Sequence, residues 1–318
     1  MNPTIRTESL RKRFGRTVAV DGISLTVPEG SIYALVGANG AGKTTLIKLL
    51  MNILRPNEGS AQVLGMESAT LGGKAFNRIG YVSENQELPE GMTVCAMLDY
   101  LRGFYPTWDT ALERQLVRQF DLPLKRKLKH LSRGMKMKAA FASSLAYRPS
   151  LIILDEPFSG LDPLVRDELI EGLIELAPET TILLSSHDLS EIESFSSHVG
   201  YLQNGRLLFS EEMTTLGNRF RDVTVTLNEP APLPAKLPAA WLEAQTMDCV
   251  FRFVHSDFKE GSTQRELAER FPSARDFSFE PMTLRQIFLA IAKTGRGAAL
   301  HSSKQDSASK GAAQEKKA

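Results

Sequence analysis

Cysteine is scarce in this sequence, which argues against a fold held together by disulfides or by cysteine-bound metal. The 318 residues include two cysteines, Cys95 and Cys249. Neither belongs to a CxxC pair or to a cluster with metal-ligand spacing. Both are therefore expected to be reduced thiols, as in a cytosolic protein.

Long apolar runs and a surplus of basic charge are missing as well. No stretch approaches the roughly 20 consecutive apolar residues that a membrane-spanning helix requires, and the N-terminus lacks the apolar core of a signal peptide. The 38 basic side chains are balanced by 37 acidic ones, which gives a net charge of +1. Such a chain has no electrostatic footprint for nucleic acid. If it works at a membrane, another protein must dock it there.

What the chain does contain is a series of short apolar runs typical of buried strands. Residues 1–36 as a whole are predicted to be β-structure, with alternation over residues 18–27. An Asn-Gly pair predicts a hairpin over residues 201–209. The apolar runs are residues 31–36, 79–82, 151–154 and 181–184.

Helical patterning is present between and after these strands. It marks residues 90–148, and Asp162 with the proline after it predicts a helix start. A further helix is predicted to begin at Asp188 or Ser190. Two capping boxes are predicted, Ser190 with Glu193 and Thr283 with Gln286.

A glycine-rich segment lies between the strand at residues 31–36 and an apolar helix that begins near Thr44. It matches the G-x-x-x-x-G-K-[ST] pattern that binds nucleotide phosphates. Its glycines let backbone N–H groups point at the phosphates, Lys43 would reach the β- and γ-phosphates, and Thr44 would offer its hydroxyl to Mg²⁺. In this strand–loop–helix setting, a turn that binds nothing is the weaker interpretation. The segment is Gly37, Ala38, Asn39, Gly40, Ala41, Gly42, Lys43 and Thr44.

Two carboxylates, Asp155 and Glu156, end the most apolar of the strands. A parallel strand delivers its C-terminal residues to the ligand crevice. Asp155 is predicted to hold Mg²⁺ through its water shell, and Glu156 to orient and polarise the attacking water. A pair of solvated acids is the alternative, which becomes the weaker one beside a complete phosphate loop.

Further motifs follow in an order that resembles the ABC ATPases over roughly residues 4–215. Residues 131–135 stand where that family has its LSGGQ signature, and residues 159–162 resemble its D-loop. His187 resembles its switch histidine, and Phe14 occupies the place of an aromatic ring that stacks on adenine.

The resemblance implies a fold and a division of the chain. The fold is α/β, with a P-loop NTPase core of the ABC type that carries an N-terminal antiparallel β region and a helical subdomain at about residues 85–150. The ATPase domain would cover residues 1–221. After it, strand-like and helix-like runs predict a small accessory α+β domain over residues 222–295, and residues 296–318 are expected to be a disordered tail. The strand-like runs are residues 223–227 and 250–254, and the helix-like runs are residues 264–271 and 283–293.

The same resemblance implies a mechanism with ATP and Mg²⁺, in which two such domains, identical or related, enclose the nucleotide between them. Ser132 and Gly134 would contact the γ-phosphate from the other subunit, His187 would contact it in cis, and Asp162 would couple the two sites. The catalytic candidates are Lys43, Glu156 and His187, the metal candidates are Thr44, Asp155 and Glu84, and Thr45 joins the nucleotide contacts.

Three residues depart from the family's pattern. Arg133 and Met135 replace a glycine and a glutamine of the signature, and Glu84 replaces the Q-loop glutamine. The backbone and hydroxyl donors of the signature survive. A carboxylate at position 84 can still accept from metal-bound water, but it adds negative charge near Mg²⁺. The departures therefore bear on the rate and on coupling to the partner.

The expected partner is a membrane-spanning permease, which would place the chain on the cytoplasmic face of the cell membrane. Unlike family members that act on ribosomes or DNA, the chain has one phosphate loop and no sustained heptads. Aromatic-rich residues 88–108 lie near the place where the family receives a permease helix, although about half of them are expected in the core. The C-terminal end of residues 277–288 is similar to the closing helix of many single-domain exporter subunits, which favours export. The alternative is a soluble regulatory ATPase without a permease.

Overall fold

The computed structural model describes residues 3–176, 180–230, 232 and 237–294. Its contacts divide the chain into two compact units, of which the first ends at Ser210 and the second begins at Glu211. The expected tail, residues 296–318, lies outside the described residues, and the domain boundary after residue 221 stays a prediction.

An antiparallel sheet occupies the N-terminal part of the first unit. Its strands are β1 (Ile5–Phe14), β2 (Thr17–Ile23), β3 (Thr26–Val27), β5 (Glu58–Val63) and β6 (Met66–Glu67). β1 pairs with β2, β3 and β5, and β5 pairs with β6. Burial alternates at the start of β1, where Ile5 and Thr7 point inward and Arg6 points outward, so this sheet has one apolar face.

A second, mostly parallel sheet forms the centre of the same unit. Its strands are β4 (Ile32–Val36), β7 (Ile79–Ser83), β8 (Leu151–Asp155), β9 (Thr181–Ser186), β10 (His198–Gln203) and β11 (Arg206–Glu212), in the order β11-β10-β4-β9-β8-β7. The five strands from β10 to β7 are parallel. Every residue of β4, β8 and β9 is buried, as expected of strands covered on both faces. The predicted apolar strands and the hairpin at Asn204 and Gly205 are confirmed.

Helices cover the parallel sheet. They are α1 (Lys43–Leu50), α2 (Val94–Arg102), α3 (Thr110–Gln119), α4 (Arg133–Leu145) and α5 (Pro163–Leu176). Leu46, Ile47 and Leu50 of α1 belong to one core with residues of both sheets, so this helix lies between them. The side chains of Thr93, Asp109 and Ser132 cap α2, α3 and α4.

The helix predicted to begin at Asp188 or Ser190 is present as a short 3₁₀ helix, Leu189–Glu191, while the capping box predicted for it is wrong. Asp188 caps it, because its Oδ1 accepts from both the backbone N–H and the hydroxyl of Ser190 at 2.9 and 2.7 Å. The Ser190 hydroxyl is thus a donor to Asp188, which is not the role that the predicted capping box requires.

The second unit is an antiparallel sheet with helices. After α6 (Met213–Arg219), its elements are β12 (Arg221–Leu227), β13 (Trp241–Met247), β14 (Val250–His255), α7 (Ser262–Arg270), β15 (Ala274–Pro281) and α8 (Leu284–Thr294), with the strand order β13-β14-β12-β15. Leu267 of α7 packs with Val223, Trp241 and Phe253 on one face of the sheet. The capping box at α8 is confirmed, because Gln286 N donates to Thr283 Oγ1 at 3.3 Å and Thr283 N donates to Gln286 Oε1 at 2.8 Å.

Candidate functional site

The parallel strands bring their carboxyl ends to one edge of the sheet, where the predicted site residues follow them. In the register, Val36 lies beside Ser186, and Asp155 lies between Ser185 and Ser83. The phosphate loop, Glu84, Glu156 and His187 each follow one of these four strand ends. Such an edge is where open α/β sheets bind ligands.

The phosphate loop turns directly from β4 into α1, and two of its glycines are sterically required. Gly42 stands at the N-terminus of α1 with a φ of 108°, and a Cβ there would lie 2.3 Å from the carbonyl oxygen of Ala19. A Cβ on Gly37 would lie 2.3 Å from the carbonyl oxygen of Leu202. Since both obstacles are backbone atoms, neither position accepts a side chain without a shift of the chain.

Lys43 is a buried cation whose side chain curls back over the loop. The side chain is 5% exposed, and its Nζ donates to the carbonyl oxygens of Gly37 and Ala38 at 2.5 and 3.2 Å. The same Nζ lies 3.0 Å from Glu156 Oε1. This contact is an ion pair alone, because Oε1 accepts no hydrogen bond of acceptable geometry. The start of α1 therefore holds a buried positive charge beside a nearly buried negative one.

Asp155 accepts two hydroxyl hydrogen bonds at the end of β8. Thr44 Oγ1 donates to its Oδ1 at 3.1 Å, and Ser185 Oγ donates to the same oxygen at 2.7 Å. Ser185 also accepts from the backbone N–H of Glu156 at 3.0 Å. Sequence reasoning gave Ser185 no role of its own. Its position beside Asp155 in the β8–β9 register is the signal that could have identified it.

Glu156 and His187 form a pair at the mouth of the site. Glu156 has a φ of 52°, an uncommon conformation for a residue with a side chain. His187 Nδ1 lies 2.8 Å from its Oε2. This hydrogen bond is the main reason that the pKa of His187 is raised, and partial burial of the imidazole opposes the increase. The structure thus brings five of the predicted site residues into one cluster, Lys43, Thr44, Asp155, Glu156 and His187.

Glu84 pairs with Arg133, a contact that the sequence did not reveal. Arg133 Nη2 lies 2.6 Å from Glu84 Oε1, and Ser159 Oγ donates to the same oxygen at 3.0 Å. Two departures from the family's pattern are therefore in direct contact, and the D-loop serine joins them.

The remaining signature and D-loop residues have local structural roles in the single chain. Ser132 Oγ accepts from the Met135 N–H at 3.2 Å and caps α4. Asp162 Oδ1 accepts from the Val165 N–H at 3.1 Å at the start of α5. Gly134 is buried against Val165, where an added Cβ would lie 3.1 Å from Cγ1.

The predicted adenine contact, Phe14, is 48% exposed, and the Lys12 ammonium lies 5.3 Å from the centre of its ring. Ala38, Asn39 and Gly40 at the tip of the phosphate loop are exposed too. Thr45 on α1 and Ala41 are more buried. In the described ranges, no helix has the length and apolar character needed to cross a membrane.

Comparison with known proteins points to one family. The ABC transporter family profile matches residues 20–159. The bacitracin transport ATP-binding protein of Enterococcus faecalis is 34% identical over 230 residues, which are 70% of this chain and 74% of that protein. The daunorubicin/doxorubicin resistance ATP-binding protein of Streptomyces peucetius is 30% identical over 306 residues, 90% of this chain and 92% of that protein.

The chain belongs to the ATP-binding proteins of ABC transporters. A solved ATP-binding subunit of an ABC transporter has the same fold, with a TM-score of 0.62 and 29% identity, over 67% of this chain and 91% of that one. The prediction of an ABC-type P-loop NTPase fold is therefore confirmed. Members of this family bind ATP and hydrolyse it to power transport, so the chain is an ABC-type ATPase.

Proposed function

We propose that this ABC ATPase closes as a dimer on two ATP molecules and thereby drives a membrane-spanning permease that exports its cargo. The chain would act on the cytoplasmic side of the membrane. The observation that carries the proposal is the cluster of Lys43, Glu156 and His187 beside the Thr44–Asp155 pair. It contains a phosphate-binding cation, a carboxylate positioned for water and an oxygen pair suited to a metal ion.

Nucleotide binding begins with Lys43. Its ammonium leaves the ion pair with Glu156 and binds the β- and γ-phosphates instead. The N–H groups of residues 37–45 and the N-terminus of α1 add partial positive charge near these phosphates. Phe14 offers an exposed ring to the adenine, and its exposure in the single chain fits this use.

A magnesium ion fits the donors at the end of β8. The Thr44 hydroxyl and the Asp155 carboxylate meet at 3.1 Å, and oxygen donors are what Mg²⁺ prefers. Within the described ranges, no three His, Cys, Asp or Glu residues form a metal-binding group, so phosphate and water oxygens would complete the shell. When bound, the ion neutralises charge on the β- and γ-oxygens. Glu84 is the further metal candidate, and in this structure it is engaged by Arg133.

In hydrolysis, Glu156 orients and polarises the attacking water. Its release from Lys43 by the phosphates leaves the carboxylate free to accept a proton from that water, while His187 remains within hydrogen-bond distance to position it. His187 also presents its imidazole to the γ-phosphate. Its raised pKa favours the charged form, which suits an anion.

Closure requires a second subunit, because half of the predicted donors to the γ-phosphate would come from that subunit and not from the chain whose phosphate loop holds the ATP. Ser132 and Gly134 stand at the N-terminus of α4, where helix N–H groups can meet a γ-phosphate bound by another copy. Asp162 would transmit closure between the two sites. A ligand that binds only the closed dimer shifts the equilibrium toward it.

Light scattering tests this closure. Glu156→Gln with ATP and Mg²⁺ is expected to form a dimer, and Glu156→Gln/Lys43→Ala, which lacks the phosphate cation, is expected to stay monomeric. A wild type that is fully active yet monomeric at every concentration would contradict the proposal.

Export through a permease is supported by two relatives, whose names concern bacitracin transport and daunorubicin/doxorubicin resistance. The test is affinity capture of the tagged chain from detergent-solubilised membranes of its source cells. A co-purifying protein with several membrane-spanning helices is expected. Recovery of the chain alone, with full ATPase activity, would favour a regulatory ATPase without a permease.

Residues 222–295 are proposed to be an accessory domain that supports dimer contacts or regulation. The sheet of this region encloses an apolar core around Trp241 and Phe253. Truncation after residue 221 should leave the phosphate site chemically complete but weaken self-association. Loss of nucleotide binding at high protein concentration would show that the region contributes to the site.

A further inference from the structure

The ion pair between Glu84 and Arg133 links three segments of the first unit. Glu84 follows β7, Arg133 is the first residue of α4, and Ser159 belongs to the turn after β8. Glu84 Oε1 lies 2.6 Å from Arg133 Nη2 and accepts from Ser159 Oγ at 3.0 Å. A Cβ on Gly160 would lie 3.0 Å from Arg133 Nη1, so the guanidinium lies directly on that glycine.

Each charge of this pair offsets the other. A cation at the N-terminus of a helix is disfavoured by the helix dipole, so an anion beside Arg133 is favourable at the start of α4. Glu84 lies near a second carboxylate residue, since its backbone N–H donates to the carbonyl oxygen of Asp155 at 2.9 Å. The guanidinium offsets the negative charge that this carboxylate adds to the edge of the sheet.

The pair is weak enough to be exchanged. The Arg133 side chain is 50% exposed and that of Glu84 is 30% exposed. Ion pairs of this kind contribute little because water screens them. The hydrogen bond from the Glu84 N–H to the Asp155 carbonyl keeps Glu84 at the edge of the sheet where the proposed metal site lies. When nucleotide and Mg²⁺ are bound, the water shell of the ion would therefore compete with Arg133 for the Glu84 carboxylate.

We propose that Glu84 and Arg133 form an ion-pair latch, which is closed in this structure and opens when Glu84 turns to the water shell of a metal ion bound with nucleotide. This inference rests on the proposed function of the site. The latch holds the segment after β7, the start of α4 and the Ser159–Gly160 turn together, and its opening frees the start of α4 for closure. Arg133 is thus a positioning residue that acts on nucleotide affinity through Glu84.

The test is a double-mutant cycle on nucleotide affinity with Glu84→Gln, Arg133→Gln and the double variant of the full chain. An ATP analogue with a non-hydrolysable β–γ bridge is titrated with Mg²⁺ or with EDTA, at a protein concentration where light scattering shows a monomer. If the latch opens on loading, Arg133→Gln tightens binding about two- to fivefold with Mg²⁺, because the variant has no latch to break. The tightening should vanish in the Glu84→Gln background and in EDTA.

Two further variants keep this result interpretable. Arg133→Lys retains the positive charge and should bind the analogue with a Kd close to that of the wild type. Arg252→Gln removes a comparable surface pair with Asp222 in the second unit, where the side-chain exposures are 63% and 16%, and should leave the Kd unchanged.

The outcomes separate the latch from the proposed function. An unchanged Kd in Arg133→Gln with Mg²⁺ would show a permanent structural link and overturn the latch. Tightening that persists with Gln at position 84, or in EDTA, would overturn it as well. If neither the wild type nor any variant binds the analogue, the proposed function itself fails.

Discussion

Glu156→Gln is expected to separate nucleotide binding from hydrolysis. The variant loses the carboxylate that is proposed to orient the attacking water, and loss of such a group typically costs roughly 10²–10⁴ in rate. It also removes the negative charge that lies 3.0 Å from Lys43 Nζ. We therefore expect turnover to collapse while ATP binding persists and becomes tighter.

The affinity change follows from the distance in the ion pair. At an effective dielectric constant of about 20, unit charges 3.0 Å apart attract by about 5.5 kcal/mol before desolvation is counted. Lys43 keeps its two carbonyl acceptors, so the net loss of stability in the nucleotide-free chain should be about 1–3 kcal/mol. Since phosphates no longer compete with a carboxylate, affinity should rise by up to roughly tenfold, which corresponds to about 1.4 kcal/mol.

The assays are steady-state phosphate release, equilibrium ATP binding and denaturant unfolding without nucleotide. Glu113→Gln is a matched control, because Glu113 is as buried as Glu156, 12% against 13% exposed, and pairs with Arg102 at 2.8 Å. The control should lose stability without losing turnover. Wild-type hydrolysis by Glu156→Gln would refute the water-orienting role. Weaker ATP binding would refute the competition between Glu156 and phosphate.

Three other perturbations have defined outcomes. The pair with Glu156 raises the pKa of His187, so its stabilisation is complete below about pH 6.5 and is lost as pH rises through the raised pKa. The unfolding temperatures of the wild type and of His187→Asn should therefore approach each other as pH rises from 6. A difference between them that does not change with pH would contradict a stabilising role of the charged imidazole. Gly42→Ala should lose nucleotide binding and at least about 1–3 kcal/mol of stability in urea unfolding, because its φ is 108° and its Cβ meets the Ala19 carbonyl; a variant with wild-type stability and affinity would show that the loop tolerates the shift. Removing residues 296–318 should leave ATPase rate and unfolding temperature unchanged, since their composition offers little apolar surface, and a loss of either would assign the segment a role.

The sequence predicted the first unit well because its signals are local and strong. Short continuous apolar runs such as residues 151–154 are typical of buried strands, and the phosphate-loop motif is expected between a strand and a helix. The second unit was predicted less completely. β13 and β15 were missed, because charged and polar residues interrupt them, as Arg275, Asp276 and Glu280 do in β15. The tertiary packing of their alternate apolar residues decides that they are strands.

The same contrast between local sequence signals and tertiary packing applies to the candidate site. Residues with motif spacing, such as Lys43 and Glu156, could be placed at the candidate site from the sequence, because the motif fixes their position in the fold. The Glu84–Arg133 contact joins residues 49 positions apart, and no local pattern connects them. The departure of each from the family's pattern was visible, but their pairing depends on how β7, α4 and the turn after β8 meet.

The charged groups of the candidate site neutralise one another in this structure. The Lys43 cation, proposed for phosphate, is held by Glu156, the carboxylate proposed for water, and Arg133 is held by Glu84, which is proposed for the metal shell. A buried lysine without an anion would be costly. The ion pair with Glu156 therefore stabilises the position of the Lys43 side chain when no phosphate is bound. The consequence is that loading exchanges ion pairs instead of creating charge in an apolar cleft. Affinity is then set by the difference between two paired states, and for this reason removing one internal carboxylate is expected to strengthen binding even as it abolishes turnover.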